Sequence, residues 1–222
     1  MIRRIKSTWL WFRQPVSGLS HLVGAILATI GLIWLLSRLG VRPFESKVIA
    51  TLIFCLSMVF LYLSSSLYHL LPLGEKGIQR LRKLDHSAIY IFIAGSYTPV
   101  CLLLLREGKG PVMFYLAWIA ASLGVVFKLL WMERSRWLRV GIYLAMSLMS
   151  IVMIPEIIAK LPMGGLLWLL GGILSYGVGA IVYAFKWPDP LPEVVGFHEL
   201  WHGFVMVGGF CHFWLLKEYL LT

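Results

Sequence analysis

The intervals between charged residues constrain this chain more than any other feature of its sequence. Between successive Asp, Glu, Lys and Arg residues lie seven uncharged runs, 14–37, 48–74, 86–105, 110–127, 140–155, 161–185 and 200–216, each 16 to 27 residues long. A helix rises about 1.5 Å per residue, so crossing a hydrocarbon layer of about 30 Å takes roughly 20 apolar residues. The runs bracket that length and leave no interval for a water-soluble domain. Composition agrees, with 59% apolar and 14% charged residues where soluble domains carry roughly 25% charge. Backbone groups in lipid must be satisfied within a helix or a closed barrel, and these runs lack the period-2 alternation of barrel strands. The expected fold is an all-α bundle of seven transmembrane helices in one domain, 16–222. Their approximate spans are 17–37, 47–72, 86–105, 111–131, 138–157, 162–185 and 196–217.

Pro15, Pro43, Pro72, Pro111, Pro188 and Pro192 stand at or near run ends, where they punctuate helices. Pro99 lies inside the third run and predicts a kink or a local widening. Lys128 interrupts the fourth run and is expected to snorkel to the interface. The start, MIRRIKSTWLWFRQP, is basic like a secretory signal, but the apolar stretch after it is longer than a signal core and has no clear cleavage site, which predicts a retained first helix. Before it, Trp9, Leu10, Trp11 and Phe12 among Arg3, Arg4, Lys6 and Arg13 read as a cytoplasmic interfacial segment over 1–15.

The net charge of +10 is asymmetric. With the N-terminus inside, the cytoplasmic segments hold thirteen Lys and Arg residues and the outer ones seven, which favours N-terminus in and C-terminus out. The basic excess is thus a topology signal that also suits anionic lipid, and no nucleic-acid-reading motif accompanies it. Cys55, Cys101 and Cys211 are odd in number, widely spaced and inside apolar runs, as core residues rather than disulfide or metal cysteines would be.

Ionisable groups inside spanning segments are rare and mark functional sites by default. On the expected topology His69 closes the second helix, Asp85 and His86 open the third, and His198 and His202 open the seventh, all at the cytoplasmic level. His198 and His202, in HELWH, stand at i and i+4 and share a helix face, the spacing of a two-histidine metal grip. His69 is available as a third ligand, with Ser65 one turn before it. Three imidazoles leave zinc an open position for water, which Asp85 is placed to orient and deprotonate. The plainer readings are a loop charge for Asp85, small-residue packing for Ser65 within Ser64-Ser65-Ser66, and interhelical hydrogen bonding for histidines. His21, His86 and His212 are assigned that last role.

Three blocks carry a family resemblance: Ser65-Ser66-Leu67-Tyr68-His69; the stretch from Asp85-His86-Ser87 to Tyr97-Thr98-Pro99; and His198-Glu199-Leu200-Trp201-His202-Gly203. In type and order they resemble the signature blocks of the hemolysin III branch of the progestin and adipoQ receptor family, over about Pro15 to Leu216. The resemblance implies seven transmembrane helices with a cytoplasmic N-terminus, and Zn2+ held by His69, His198 and His202, with Asp85 near the zinc water and Ser65 beside it. It also implies a bacterial cytoplasmic (inner) membrane protein linked to lipid and fluidity homeostasis, and a likeness to alkaline ceramidases.

The leading expectation is a zinc-dependent hydrolase of membrane lipid amide or ester bonds, its substrate entering laterally from the bilayer, with Asp85 as general base and Ser65 as an oxyanion donor. Alternatives are a sensor or receptor with a structural zinc, an intramembrane metalloprotease using HELWH, and a pore-forming haemolysin. Glu199 is read as a helix-start charge favoured by the N-terminal dipole. Membrane lipids are the expected partners. The small residues Gly171, Gly172, Ser175, Gly177, Gly179 and Ala180 suit close packing within the bundle or in a homo-oligomer alike.

Overall fold

A computed structural model describes residues 12–40, 45–130, 136–191 and 194–221. Most of the interfacial segment expected over 1–15 lies outside the described residues. Long helices dominate: α1 (Pro15–Leu39), α2 (Ser46–Leu70), α3 (Glu75–Pro99), α4 (Gly110–Leu130), α5 (Arg136–Leu148), α6 (Ile154–Lys160), α7 (Met163–Phe185) and α8 (Phe197–Leu215). A 3-10 turn, Met149–Met153, joins α5 to α6 in one rod, and π-helical turns extend α3 over Val100–Leu104 and α8 over Leu216–Leu220.

Six of these rods are long and apolar enough to cross a membrane: Pro15–Leu39, Ser46–Leu70, Glu75–Leu104, Gly110–Leu130, Val140–Lys160 and Met163–Phe185. The seventh run also folds as a helix, α8, but three histidines and Glu199 lower its hydropathy, and it is not among the six.

Local chemistry sets the helix ends. Pro15 occupies the first turn of α1, where its missing N–H costs nothing. Beyond the other end of α1, Gly40 has φ +69°, a conformation side chains disfavour. Pro99 produces a widening: the π-helical turn begins at the next residue, as a proline that cannot donate within the ladder predicts. α3 begins at Glu75, eleven residues ahead of the expected 86. Gly74 precedes it, Glu75 is an acid in its first turn, and Gln79, Arg80, Leu81, Arg82 and Lys83 are good helix formers. The basic stretch is therefore helix rather than loop, and Asp85 sits inside α3.

α2 and α3 are the most enclosed rods, with 61% of their apolar windows buried against 17% for Val140–Lys160. α1 packs along α2, α2 along α3, α3 along α4, and α7 along α8, while α8 returns to α1. Small residues make these approaches possible. Gly172, Ser175 and Gly179 face α8: the ring of His212 lies where a side chain on Gly172 would stand, Trp201 and Phe204 where one on Gly179 would stand, and the Ser175 hydroxyl donates to Phe204 O at 2.7 Å. Of the small-residue stripe, Gly172, Ser175 and Gly179 thus pack inside the bundle, while a side chain on Gly177 would meet nothing within 4 Å.

Lys128 corrects an expectation. It is only 1% exposed and does not snorkel. Ala117, Ala121, Gly124 and Lys128 form one buried stripe of α4 at spacings that share a helix face, and Gly124 stands against the Tyr90 ring of α3. The face that brings α4 onto α3 carries the lysine inward. All three cysteines are free and buried.

Candidate metal centre

The ends of α2 and α8 meet beside the first turn of α1. His69, on the last turn of α2, and His198 and His202, on the first turns of α8, bring one nitrogen each to within 4.8 Å of one another. Their ring centroids form a near-equilateral triangle: 5.0 Å for His69–His198, 5.0 Å for His69–His202 and 4.8 Å for His198–His202. His69 and His202 are buried and His198 is half-buried.

The donor set fits a divalent metal. His69 Nε2 and His198 Nε2 are 3.3 Å apart. Two nitrogens each about 2.05 Å from a tetrahedral zinc stand about 3.3–3.4 Å apart, so this pair already has a chelating separation. The hydrogen bonds on the outer side of the rings set their tautomers. A backbone carbonyl only accepts, so the contact of His202 Nδ1 with Ser17 O at 3.2 Å places the proton on Nδ1 and leaves Nε2 with a free lone pair. His69 Nδ1 likewise meets Gln14 Oε1 at 2.5 Å, leaving its Nε2 lone pair to face His198. Metal-bound histidines are held this way by groups behind them.

Gln14, just before α1, and Ser17, in its first turn, supply the two acceptors. Gln14 grips His69 twice, since its backbone N–H also donates to His69 O at 2.9 Å. Gly18 permits the approach: a Cβ there would stand 2.5 Å from Leu70 Cδ2 and 3.3 Å from His69 Cβ. The Ser17 hydroxyl donates to Glu199 Oε1 at 2.5 Å, and Glu199 Oε2 accepts the Gly196 N–H at 2.9 Å. Glu199 is therefore a helix-start carboxylate, as its position suggests, and also the residue that ties α8 to the turn behind His202. Nothing in the sequence singles out Gln14 or Ser17, because their role depends on α1 lying across a cluster drawn from two distant helices.

His21, one turn beyond Ser17, belongs to the same cluster. Its ring stacks on that of His202 at 3.7 Å and 13° and lies 5.1 Å from that of Tyr62. It is 3% exposed. His212 lies apart, with its ring 5.4 Å from that of Tyr176.

Asp85 approaches from α3, half-buried. The buried Ser65 side chain is hydrogen-bonded to its carboxyl, and Lys128 and Arg82 are its charged neighbours. Ser65 lies one turn from His69, so this bond links α3 to the turn of α2 that carries His69. A hydroxyl has one proton to donate, so in this arrangement Ser65 orients Asp85 rather than standing free toward an oxyanion.

Residues 9–213 match the family described as Haemolysin-III related. The chain belongs to that family. It is 33% identical over 207 residues to the hemolysin-3 homolog of Bacillus subtilis (strain 168), covering 93% of each chain. It is 35% identical over 209 residues to hemolysin-3 of Bacillus cereus, covering 94% of this chain and 92% of the relative. At 26% over 198 residues it is also similar to the monocyte to macrophage differentiation factor of Homo sapiens, covering 84% of this chain and 76% of the relative. The match takes in α1 through α8 up to Phe213, so every residue of the cluster lies within the shared region.

Proposed function

We propose that this haemolysin III protein is a zinc-dependent hydrolase of membrane lipid amide or ester bonds, with seven membrane-crossing helices, a cytoplasmic N-terminus and an outer C-terminus, in a bacterial inner membrane. The observation that carries the reading is the pair of nitrogens of His69 and His198 at 3.3 Å, with His202 as the third imidazole. In this reading α8 is the seventh span, its polar start facing the protein interior rather than lipid. His69, His198 and His202 hold the metal, which when bound polarises an acyl carbonyl and acidifies water.

The chain's own groups supply the rest. Asp85 takes the proton of the attacking water at a carboxylate oxygen and returns it to the leaving amine or alcohol. Ser65 holds that carboxylate in register with His69. Gln14 and the carbonyl of Ser17 hold the imidazoles. A lipid reaches the cluster laterally, its acyl chain staying in hydrocarbon.

Metal analysis of the purified protein tests this, on wild type, His69→Ala, His202→Ala and Asp85→Asn, each then incubated with ceramides and phospholipids. Wild type should carry near-stoichiometric zinc and release free fatty acid, and both histidine variants should lose metal and turnover. Asp85→Asn should keep the metal and lose about 10²- to 10⁴-fold in rate. Turnover persisting in a metal-free His202→Ala protein would end the proposal. A second reading, a receptor with structural zinc, draws on the way the cluster joins helices whose histidines lie 129 residues apart; metal without turnover of any lipid would favour it.

A further inference from the structure

Where α3 meets α2 and α4, one groove combines a basic rim with an apolar floor. Arg80, Lys83, Ser87 and Ile91 follow one face of α3, and Phe60 of α2 with Val125 and Leu129 of α4 form the walls of a groove of about 320 Å³. Among the described residues no carboxylate lines it; Asp85, two residues from Lys83, is hydrogen-bonded to Ser65. Arg80 is exposed. Lys83 Nζ donates to Leu129 O at 2.8 Å, which uses one of its three protons and anchors the ammonium at the open end of α4.

Depth along α3 orders these groups as a glycerophospholipid orders its own. Arg80 and Lys83 lie one turn apart at the end of the helix where its apolar segment begins. Ser87 lies one turn deeper, about 6 Å. It is 5% exposed, with its hydroxyl oxygen buried beneath the groove. Below it, Ile91, Val125 and Phe60 offer hydrocarbon only.

We propose that this groove binds an anionic phospholipid. The phosphate sits against Arg80 and Lys83, and one acyl chain lies along Ile91 and Val125. Two cations at the rim of an apolar slot favour an anionic over a zwitterionic lipid. The inference requires α3 and α4 to cross a membrane and is independent of the metal centre.

Native mass spectrometry on detergent-purified protein tests it, with phosphatidylglycerol and phosphatidylcholine of identical acyl chains as probes. Wild type should retain phosphatidylglycerol on the order of tenfold more strongly, about 1.4 kcal/mol. The double variant Arg80→Gln/Lys83→Gln should lose the preference, while the charge-matched control Lys76→Gln/Arg106→Gln keeps it. Ile91→Trp, which fills the slot, should weaken retention with both cations present. On wild type alone, glycerol phosphate should fail to displace the lipid where dihexanoylphosphatidylglycerol succeeds. Equal retention of the two lipids by wild type, an equal loss in the control, or displacement by glycerol phosphate alone would overturn the proposal.

Discussion

A histidine can bind a metal only through a nitrogen that carries no proton, so the acceptors behind His69 and His202 matter as much as the rings. Gln14 Oε1 and Ser17 O occupy those positions. In this arrangement Gln14→Leu, similar in size but unable to accept, should weaken zinc binding about 10- to 100-fold, measured by competition with a chromophoric chelator. Gln14→Glu keeps an acceptor and should retain wild-type affinity. Equal loss in both variants would show that shape rather than the hydrogen bond matters. Of the cluster, His69 and Ser65 are legible in the sequence as polar groups in an apolar run, Asp85 as a charge at the edge of one, and His198 and His202 by their i to i+4 spacing. Gln14 and Ser17 are not, because a glutamine before a helix and a serine in its first turn are ordinary residues there. His21 reads as an interhelical hydrogen-bonding residue, and its ring stacks on that of His202 on α8.

Helices approach one another where side chains are small, and that decides which helix faces the centre. Gly18 brings the first turn of α1 onto the last turn of α2. Gly18→Ala would place a methyl 2.5 Å from Leu70, an overpacking expected to cost about 1–3 kcal/mol. Thermal unfolding should report that loss, and weaker zinc binding should accompany it, because the α1 turn that carries Gln14 and Ser17 is displaced. A lower melting temperature with unchanged zinc affinity would separate packing from the site. Among the described residues each uncharged run falls on a helical rod, since length and apolarity are properties of a segment. They misplace the start of α3 and the side chain of Lys128, since helix propensity extends past the apolar boundary and the direction of a long side chain depends on the neighbouring helix.

Across the whole molecule, the centre fastens α2 to α8 with α1 laid over both. A ligand that binds only the folded state stabilises it by about 2.7 kcal/mol at a hundredfold excess over its dissociation constant. Chelation should therefore lower the melting temperature of wild type and leave that of His202→Ala unchanged. An unshifted wild type would mean that the centre holds no metal under those conditions.

By itself the sequence determined an all-helical membrane chain, its segments and the residue types of its polar cluster. These follow from local quantities: the length of an apolar run, the position of a proline, and the i to i+4 spacing of His198 and His202. Only the tertiary structure decided that His69 and His198 stand at a chelating distance, that α1 supplies the acceptors behind the rings, that Lys128 turns inward beside Asp85, and that Arg80 and Lys83 rim a groove. Each of these depends on contacts between segments far apart in the chain, and such contacts are settled by how the helices pack rather than by any one segment.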